Sequence, residues 1–252
     1  MRIGLIADIH GNLVALDAVI AELERDRIDQ IVCLGDVAAL GPRPAEVIAH
    51  LRALNVRCVL GNTDAWLVPD SPVRAVEPTT VAVRDLTRWC AERLSTTDVE
   101  YLRQLPLTME LTLGGTSRLI CFHGSPRSVD DVIAASTPPD ALESMRVGGQ
   151  AALYASGHTH IQLFRRHQQA RLINPGSVGL AGVGPGGPEL PVNQDVDWAE
   201  YAVIDASPDR VTLDLRRVQI DVKRVLEDGS ANGMPHIDWW ADRWRREERS
   251  LR

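Results

Sequence analysis

Lysine is nearly absent: Lys223 is the only one in 252 residues, and every other basic side chain is arginine. That bias fits genome composition, with a slight lean toward thermal adaptation, and carries no functional weight. A surplus of positive charge is missing too. With 34 acidic against 27 basic side chains the formal net charge is −7, which argues against binding to nucleic-acid polymers or membrane surfaces through bulk charge. It leaves a phosphate-bearing small substrate open, because bulk charge does not set the sign of one pocket. No apolar run approaches the roughly 20 residues of a membrane span, and the apolar start at Met1 to Ala7 is too short for the core of a secretory signal. Cysteine is sparse: Cys33, Cys58, Cys90 and Cys121 lie far apart with no CxxC pair, so small core residues in a reducing compartment are expected. A soluble cytoplasmic protein is the expectation.

What is present is an alternation of strand-like and helix-like segments. Arg2 to Ala7 reads as a strand covered on both faces, and Asn12 to Arg25 repeats apolar residues at helical spacing through Leu13, Leu16, Val19, Ile20 and Leu23. Ile31 to Leu34 and Val56 to Leu60 are further buried strands, with a helix from Pro44 to Leu54 between them. Residues 78–104 carry one or two helices with Ser95 or Thr97 as caps, and Pro106 as a stop. Strands at Thr108 to Leu113 and Arg118 to Phe122 flank a Gly114-Gly115 turn. A helix over 139–147 and a strand at Ala152 to Ala155 follow, then antiparallel strands at Ile161 to Arg166, Arg171 to Ile173, Tyr201 to Ile204 and Val211 to Leu215. One α/β domain over 1–252, with two sheets stacked between helices, is the economical arrangement. It carries a Gly/Pro-rich insertion at 181–198 and a helical extension at about 221–252, where Trp239, Trp240 and Trp244 either dock on their own domain or form a homodimer interface.

The informative feature is where the polar residues fall. Asp8 and His10 end the first strand, Asp36 the second, Asn62 the third, His123 the Arg118 to Phe122 strand, and His158 and His160 the Ala152 to Ala155 strand. In an α/β sheet the carboxyl ends of strands border the ligand crevice, so these seven side chains can meet although they span about 150 residues. In an extended backbone, residues two apart aim the same way, which would pair Asp8 with His10 and His158 with His160. Imidazole and carboxylate without thiolate suit Zn, Mn, Fe or Ni, and seven ligands suffice for two ions if one carboxylate bridges. Any one of these residues alone would be a hydrogen-bonded strand end or, like Asn12, a helix cap; seven at matching strand ends are not. By contrast His50, His167 and His236 are expected on the solvated surface.

The runs Asp8-Ile9-His10-Gly11-Asn12, Gly35-Asp36, Gly61-Asn62-Thr63-Asp64, His123-Gly124-Ser125-Pro126 and Gly157-His158-Thr159-His160, in this order, resemble the calcineurin-like metallophosphoesterase superfamily. Gly41-Pro42-Arg43-Pro44 and Asn174-Pro175-Gly176-Ser177-Val178-Gly179 look like its bacterial and archaeal YfcE-like or diadenosine-tetraphosphatase-like branch. The resemblance implies a four-layer α/β/β/α sandwich of two mixed β-sheets flanked by helices. It also implies two divalent ions (Mn, Fe, Zn or Ni), with Asp8, His10 and His160 on one, Asn62, His123 and His158 on the other, and Asp36 bridging. The implied reaction is hydrolysis of a phosphate ester or anhydride of a small molecule, a nucleotide, phosphodiester or dinucleoside polyphosphate, by in-line attack of a metal-bridging hydroxide. Many members carry His after the Asn as the acid for the leaving group; here Thr63 stands instead. Asp64 is one candidate to replace it, and a leaving group needing little protonation is the other solution. Arg43 and Arg127 are candidate phosphate contacts. The 181–198 stretch is either a surface insertion or a specificity lid containing Asp195, Asp197 and Trp198. A Ser/Thr protein phosphatase and a noncatalytic metal-binding scaffold are the competing readings.

Overall fold

Short apolar runs alternate with amphipathic ones, and in a computed structural model they form ten strands and eight helices among the described residues, 1–114, 117–149, 151–181 and 197–241. The first βαβαβ run is β1 (Arg2–Ile6), α1 (Leu13–Arg25), β2 (Gln30–Cys33), α2 (Pro44–Ala53) and β3 (Arg57–Cys58), followed directly by the short α3 (Asn62–Trp66). Next come α4 (Val81–Ala91), α5 (Thr96–Arg103), β4 (Thr108–Thr112), β5 (Arg118–Phe122), α6 (Pro139–Ser144) and β6 (Leu153–Ala155). The chain continues through β7 (Gln162–His167), β8 (Ala170–Pro175), β9 (Trp198–Ala206), β10 (Val211–Gln219), α7 (Val222–Ala231) and α8 (Ile237–Ala241).

Two five-stranded mixed sheets result. One has the order β10-β9-β1-β2-β3, with β1, β2 and β3 parallel and β9 and β10 antiparallel; the other runs β4-β5-β6-β8-β7, with β5, β6 and β8 parallel. Strand alternation decides which residue faces which layer. Ile3, Leu5 and Ala7 of β1 and its end meet Leu119, Cys121, Leu153, Ala155 and Ile173 of the second sheet. Ile6 and Ile9 instead join Leu16, Val19, Leu23 and Ile48 under the helices. Gly4 also faces that layer, where a β-carbon would come within 2.9 Å of the Leu23 side chain. A third cluster, with Phe122, Leu142, Tyr154 and Leu172, covers the far face of the second sheet. The layers are therefore helix, sheet, sheet and helix, as expected.

The helix starts are set locally. Asn12 caps α1 by accepting from the Ala15 N–H at 3.1 Å. Ser95, not Thr97, caps α5, with Asp98 completing a capping box. The strand expected over Val56 to Leu60 pairs with β2 only at Arg57 and Cys58, with one further bond from the Val59 N–H to the Cys33 carbonyl at 3.0 Å, before the chain turns into α3 to deliver Asn62. The helical extension is two short helices, α7 and α8, and Trp240 is buried within the helical layer. Trp244 and most of the Gly/Pro-rich insertion, including Asp195, lie outside the described residues. No helix among the described residues is long and apolar enough to cross a membrane.

Candidate metal centre

The loop after β1 is laced to the loop after β2. The N–H groups of Asp8, His10 and Gly11 donate to the carbonyls of Gly35, Asp36 and Val37 at 3.0, 3.0 and 2.9 Å. This lacing forces bends that extended chain would not give. Asp8, His10, Asp36, His158 and His160 all have left-handed backbones, with φ of 54°, 49°, 56°, 71° and 56°. Each costs about 1–3 kcal/mol at a non-glycine residue and persists because its surroundings impose it. The expectation that Asp8 and His10 aim alike because they sit on extended chain is thus corrected: kinks aim them. Glycine is required nearby, since a β-carbon on Gly61 would overlap the Asp36 carboxylate and one on Gly179 the Ile9 carbonyl. Behind the loops, Ser177 Oγ donates to the Asp8 carbonyl at 2.7 Å and Asn174 Nδ2 to that of Gly157 at 2.6 Å, so the Asn174 to Gly179 motif buttresses two ligand loops.

All seven expected ligands converge. One ligand atom each from Asp8, His10, Asp36 and His160 lies within 4.8 Å of the others. Asp36 Oδ2 sits 3.7 Å from His10 Nε2 and 3.5 Å from His123 Nε2, between the two halves of the cluster, while its Oδ1 accepts from the Thr63 N–H at 2.9 Å. His123 Nε2 is 2.9 Å from Asn62 Oδ1, and the His158 ring lies edge-on to that of His123.

The imidazole orientation tests whether a metal fits. His10 Nδ1 faces the Ala39 carbonyl at 3.1 Å, His123 Nδ1 that of Leu34 at 2.8 Å, and His160 Nδ1 that of Leu180 at 3.1 Å. Each ring therefore gives its Nδ1 proton to a backbone carbonyl and turns Nε2 inward, the outer support that metal-ligating histidines use. His10 Nε2 and His160 Nε2 then stand 3.1 Å apart. With each Nδ1 turned to a carbonyl, both Nε2 atoms point into one gap, where a cation could be shared between them. The residues fit a metal group.

Buried charge sets the proton states. Burial pulls His10 and His158 down to about 4. It works the same way on His123, but the Asp36 carboxylate overrides it and raises that ring to about 10. Burial would raise Asp36 as well, yet the charge of His123 outweighs it and holds the carboxyl well below its usual range.

Three expected residues are placed otherwise. Asp64 is fully buried, and its oxygens accept from the backbone N–H groups of Val37 at 2.9 Å, Ala38 at 3.3 Å and Gly61 at 3.2 Å. Burial and then the charge of Asp36 push it up to about 7, but both oxygens serve the loops that carry Asp36 and Asn62, a positioning role rather than that of a proton donor. Arg43 is tied to Glu46 at 3.1 Å and Asp228 at 2.8 Å, and Arg127 to Asp131 at 2.7 Å. Neither lines the cavity over the cluster, so the expected phosphate contacts are spent internally. Asp197 and Trp198 belong to a sheet margin, Trp198 opening β9 and stacking on Arg217. Of the three histidines expected at the surface, His50 and His236 pair with Asp17 and Asp85 there, whereas His167 is buried at the end of β7 beside the Gly148 loop.

A cavity of about 530 Å³ opens over His10, Asp36, Asn62, His158 and His160. Its wall includes residues that sequence reasoning missed: Trp66, Glu77, Asp130, Trp239 and Trp240. Trp66, one helical turn beyond Asn62 in α3, is the one that spacing alone could have found. Thr63 also lines the cavity, with a buried hydroxyl that has no hydrogen-bond partner.

The profile of the calcineurin-like phosphoesterase superfamily domain matches residues 1–189. The chain is 26% identical over 257 residues to the uncharacterized protein MJ0912 of Methanocaldococcus jannaschii, covering 96% of each. Its structure is similar to a metallophosphoesterase from Sphaerobacter thermophilus, at 27% identity with a TM-score of 0.71 over 96% of this chain and 98% of that one. The fold is shared with the hypothetical protein PH1004 of Pyrococcus horikoshii, at 23% identity and a TM-score of 0.76 over 93% and 94%. By sequence profile and by fold, the chain belongs to the calcineurin-like phosphoesterase superfamily, whose members are metal-dependent phosphoester hydrolases.

Proposed function

We propose that the protein is a two-metal phosphoesterase that hydrolyses a small phosphoester whose leaving group departs with little proton assistance. The observation that carries this reading is the convergence of seven ligand side chains, three of them imidazoles turned Nε2-inward by backbone carbonyls. Asp8, His10 and His160 would hold one ion and Asn62, His123 and His158 the other. Asp36 would serve both, a role supported by the place of its Oδ2 between His10 and His123. When bound, such ions supply Lewis acidity toward the phosphoryl oxygens and an activated water at neutral pH.

The chain's own part is positioning. Asp36 is held by the Thr63 N–H, and the Thr63 hydroxyl is buried without a hydrogen-bond partner. An alcohol is too weak an acid to replace the general acid that contributes about 10²–10⁴-fold elsewhere, and Asp64 is committed to the backbone. Rates should therefore follow leaving-group pKa steeply, favouring aryl esters and activated diesters over alkyl phosphates. The scaffold reading is disfavoured because no ligand is lost. Four free, buried cysteines suit the reducing cytoplasm.

The test is metal analysis of the purified protein, then turnover of aryl phosphate mono- and diesters with Mn, Fe, Zn and Ni across a leaving-group series. Bound metal, activity abolished by Asp36→Ala and kept in His50→Ala, and a steep leaving-group dependence are expected. Absence of both bound metal and turnover would return the scaffold reading, and rates independent of leaving-group pKa would remove the argument from Thr63.

A further inference from the structure

The cavity over the metal centre has two unlike ends. Its floor is the ligand cluster, and its walls are apolar and aromatic, with Trp66, Val83, Leu86, Leu180, Trp239 and Trp240. Its volume of about 530 Å³ is that of a small-molecule site. Beyond the ligand cluster, the charged groups that line it among the described residues are Glu77 and Asp130, with neither arginine nor lysine. Asp130 is fixed there, because both its oxygens accept from the Val76 N–H at 3.1 Å. It thus ties the strap that carries Val76, Glu77 and Pro78 across the opening and sets a carboxylate beside it. Val76, 66% exposed, gives that rim an apolar edge.

Cations held by the ligand cluster would neutralise one phosphate at the floor. A second or third phosphate on the same substrate would need guanidinium or ammonium groups along the walls, and here it would meet two carboxylates. An aromatic group finds Trp66 and Trp239, half-buried in the wall, with the buried Trp240 behind them, and a positive charge on it would be favoured both by the aromatic rings and by the carboxylates.

We infer that this cleft selects phosphoesters with a single phosphate and an aromatic organic group that is neutral or cationic, and that it discriminates against anionic groups and polyphosphate chains through Glu77 and Asp130. The inference rests on the phosphoesterase reading above and names its substrate class.

The test holds the leaving group constant. Three 4-nitrophenyl phosphodiesters are compared whose second arm is phenyl, 4-carboxyphenyl or 4-(trimethylammonio)phenyl, with diadenosine tetraphosphate as a fourth substrate and Mn²⁺ as the metal. We expect kcat/KM for the cationic arm to exceed that for the carboxylate arm by about tenfold or more, a difference that repulsion by unpaired charges can supply. Diadenosine tetraphosphate should rank below the phenyl diester. In the Glu77→Gln/Asp130→Asn double variant the cation-to-anion ratio should shrink to about threefold or less. Because it is a ratio, losses of fold or metal cancel from it, and the asparagine still offers an acceptor to the Val76 N–H. Binding of the matching arylphosphonates to metal-loaded protein, followed by calorimetry, reads the same order without turnover. If that order appears but no diester is hydrolysed, the phosphoesterase reading fails and the cleft's selectivity stands. Equal or reversed ratios in the wild type, ratios unmoved in the double variant, or diadenosine tetraphosphate as the best substrate would overturn the inference.

Discussion

Asp64 separates two accounts of this centre, one in which it gives a proton to the leaving group and one in which it only holds the ligand loops. Alanine would orphan the buried N–H groups of Val37, Ala38 and Gly61 at once. At about 1–3 kcal/mol for each unpartnered donor, with the 3.2 and 3.3 Å bonds at the low end, the loss is on the order of 3–6 kcal/mol. Relief of the repulsion from Asp36 offsets part of it. A loss of that size threatens the fold itself, so Asp64→Asn is the sharper perturbation. Its carbonyl still serves Val37 and Ala38, while its amide meets the Gly61 N–H donor to donor, at a cost of about 1–3 kcal/mol. Val37 and Ala38 follow Asp36 and Gly61 precedes Asn62, so the slack falls on two ligands. Calorimetric titration with Mn²⁺ should show affinity weakened about 10–100-fold, the usual worth of a ligand's outer support, with kcat at saturating metal changed by only about fivefold or less. The reasoning is refuted if affinity is unchanged while kcat drops by the 10²–10⁴-fold of a lost general acid and the alkaline limb of the pH profile goes with it.

Metal loading should also release a proton. At pH 7 the His123 ring, raised to about 10, is charged, whereas His10 and His158, lowered to about 4, are not. A ligating Nε2 must be bare, so His123 alone among these three loses a proton, and calorimetry in buffers of different ionisation enthalpy should count at least about one per chain, any proton lost by an activated water adding to it; none would contradict the assignment. In the metal-free protein the same raised ring stabilises the fold fully below about pH 6.5, and that contribution fades as pH climbs through about 10. Gly61→Ala should abolish metal binding while circular dichroism stays near native, because the added β-carbon overlaps the Asp36 carboxylate; full metal stoichiometry in that variant would show that the loop can yield. Arg43→Ala should leave kcat/KM within about twofold and cost about 1 kcal/mol at most in denaturant midpoint, the scale of a partly exposed ion pair; a large rise in KM would return Arg43 to the substrate.

The convergence of these seven side chains was legible because chemistry restricts candidate ligands: only a few side chains bind hard or borderline cations, and a sheet can gather them only at strand ends. Their backbone was not legible from alternation, since period-two logic knows only extended chain. Yet Asp and His are among the non-glycine residues that best tolerate the left-handed region, so Asp8, His10, Asp36, His158 and His160 carried that signal in their identities. The surroundings of Asp64 and Arg43 were not legible for the opposite reason. Each sits beside a motif, but what fixes its role is a partner that the local sequence does not show: backbone amides of another loop for one, and Asp228, 185 positions away, for the other. His167 was misplaced because a hairpin was equated with exposure.

The cleft wall was illegible because its members come from six stretches, each bland alone: Leu40, Thr63 to Trp66, Val76 to Leu86, Asp130 to Val132, Leu180, and Trp239 to Trp240. Gathered together they change what a net charge of −7 implies. Asp8 and Asp36 are neutralised once cations are bound, so they do not repel a substrate. Among the described residues Glu77 and Asp130 have no cationic partner in the cavity lining. A phosphoester reaching the centre must pass two carboxylates before it meets positive charge, and the barrier grows with each anionic group it carries. A molecule that confines its negative charge to the one phosphate bound at the floor, and offers the walls an aromatic face, meets the least resistance. On the proposed selectivity, the distribution of charge around this cleft, rather than its total, would set which phosphoesters enter.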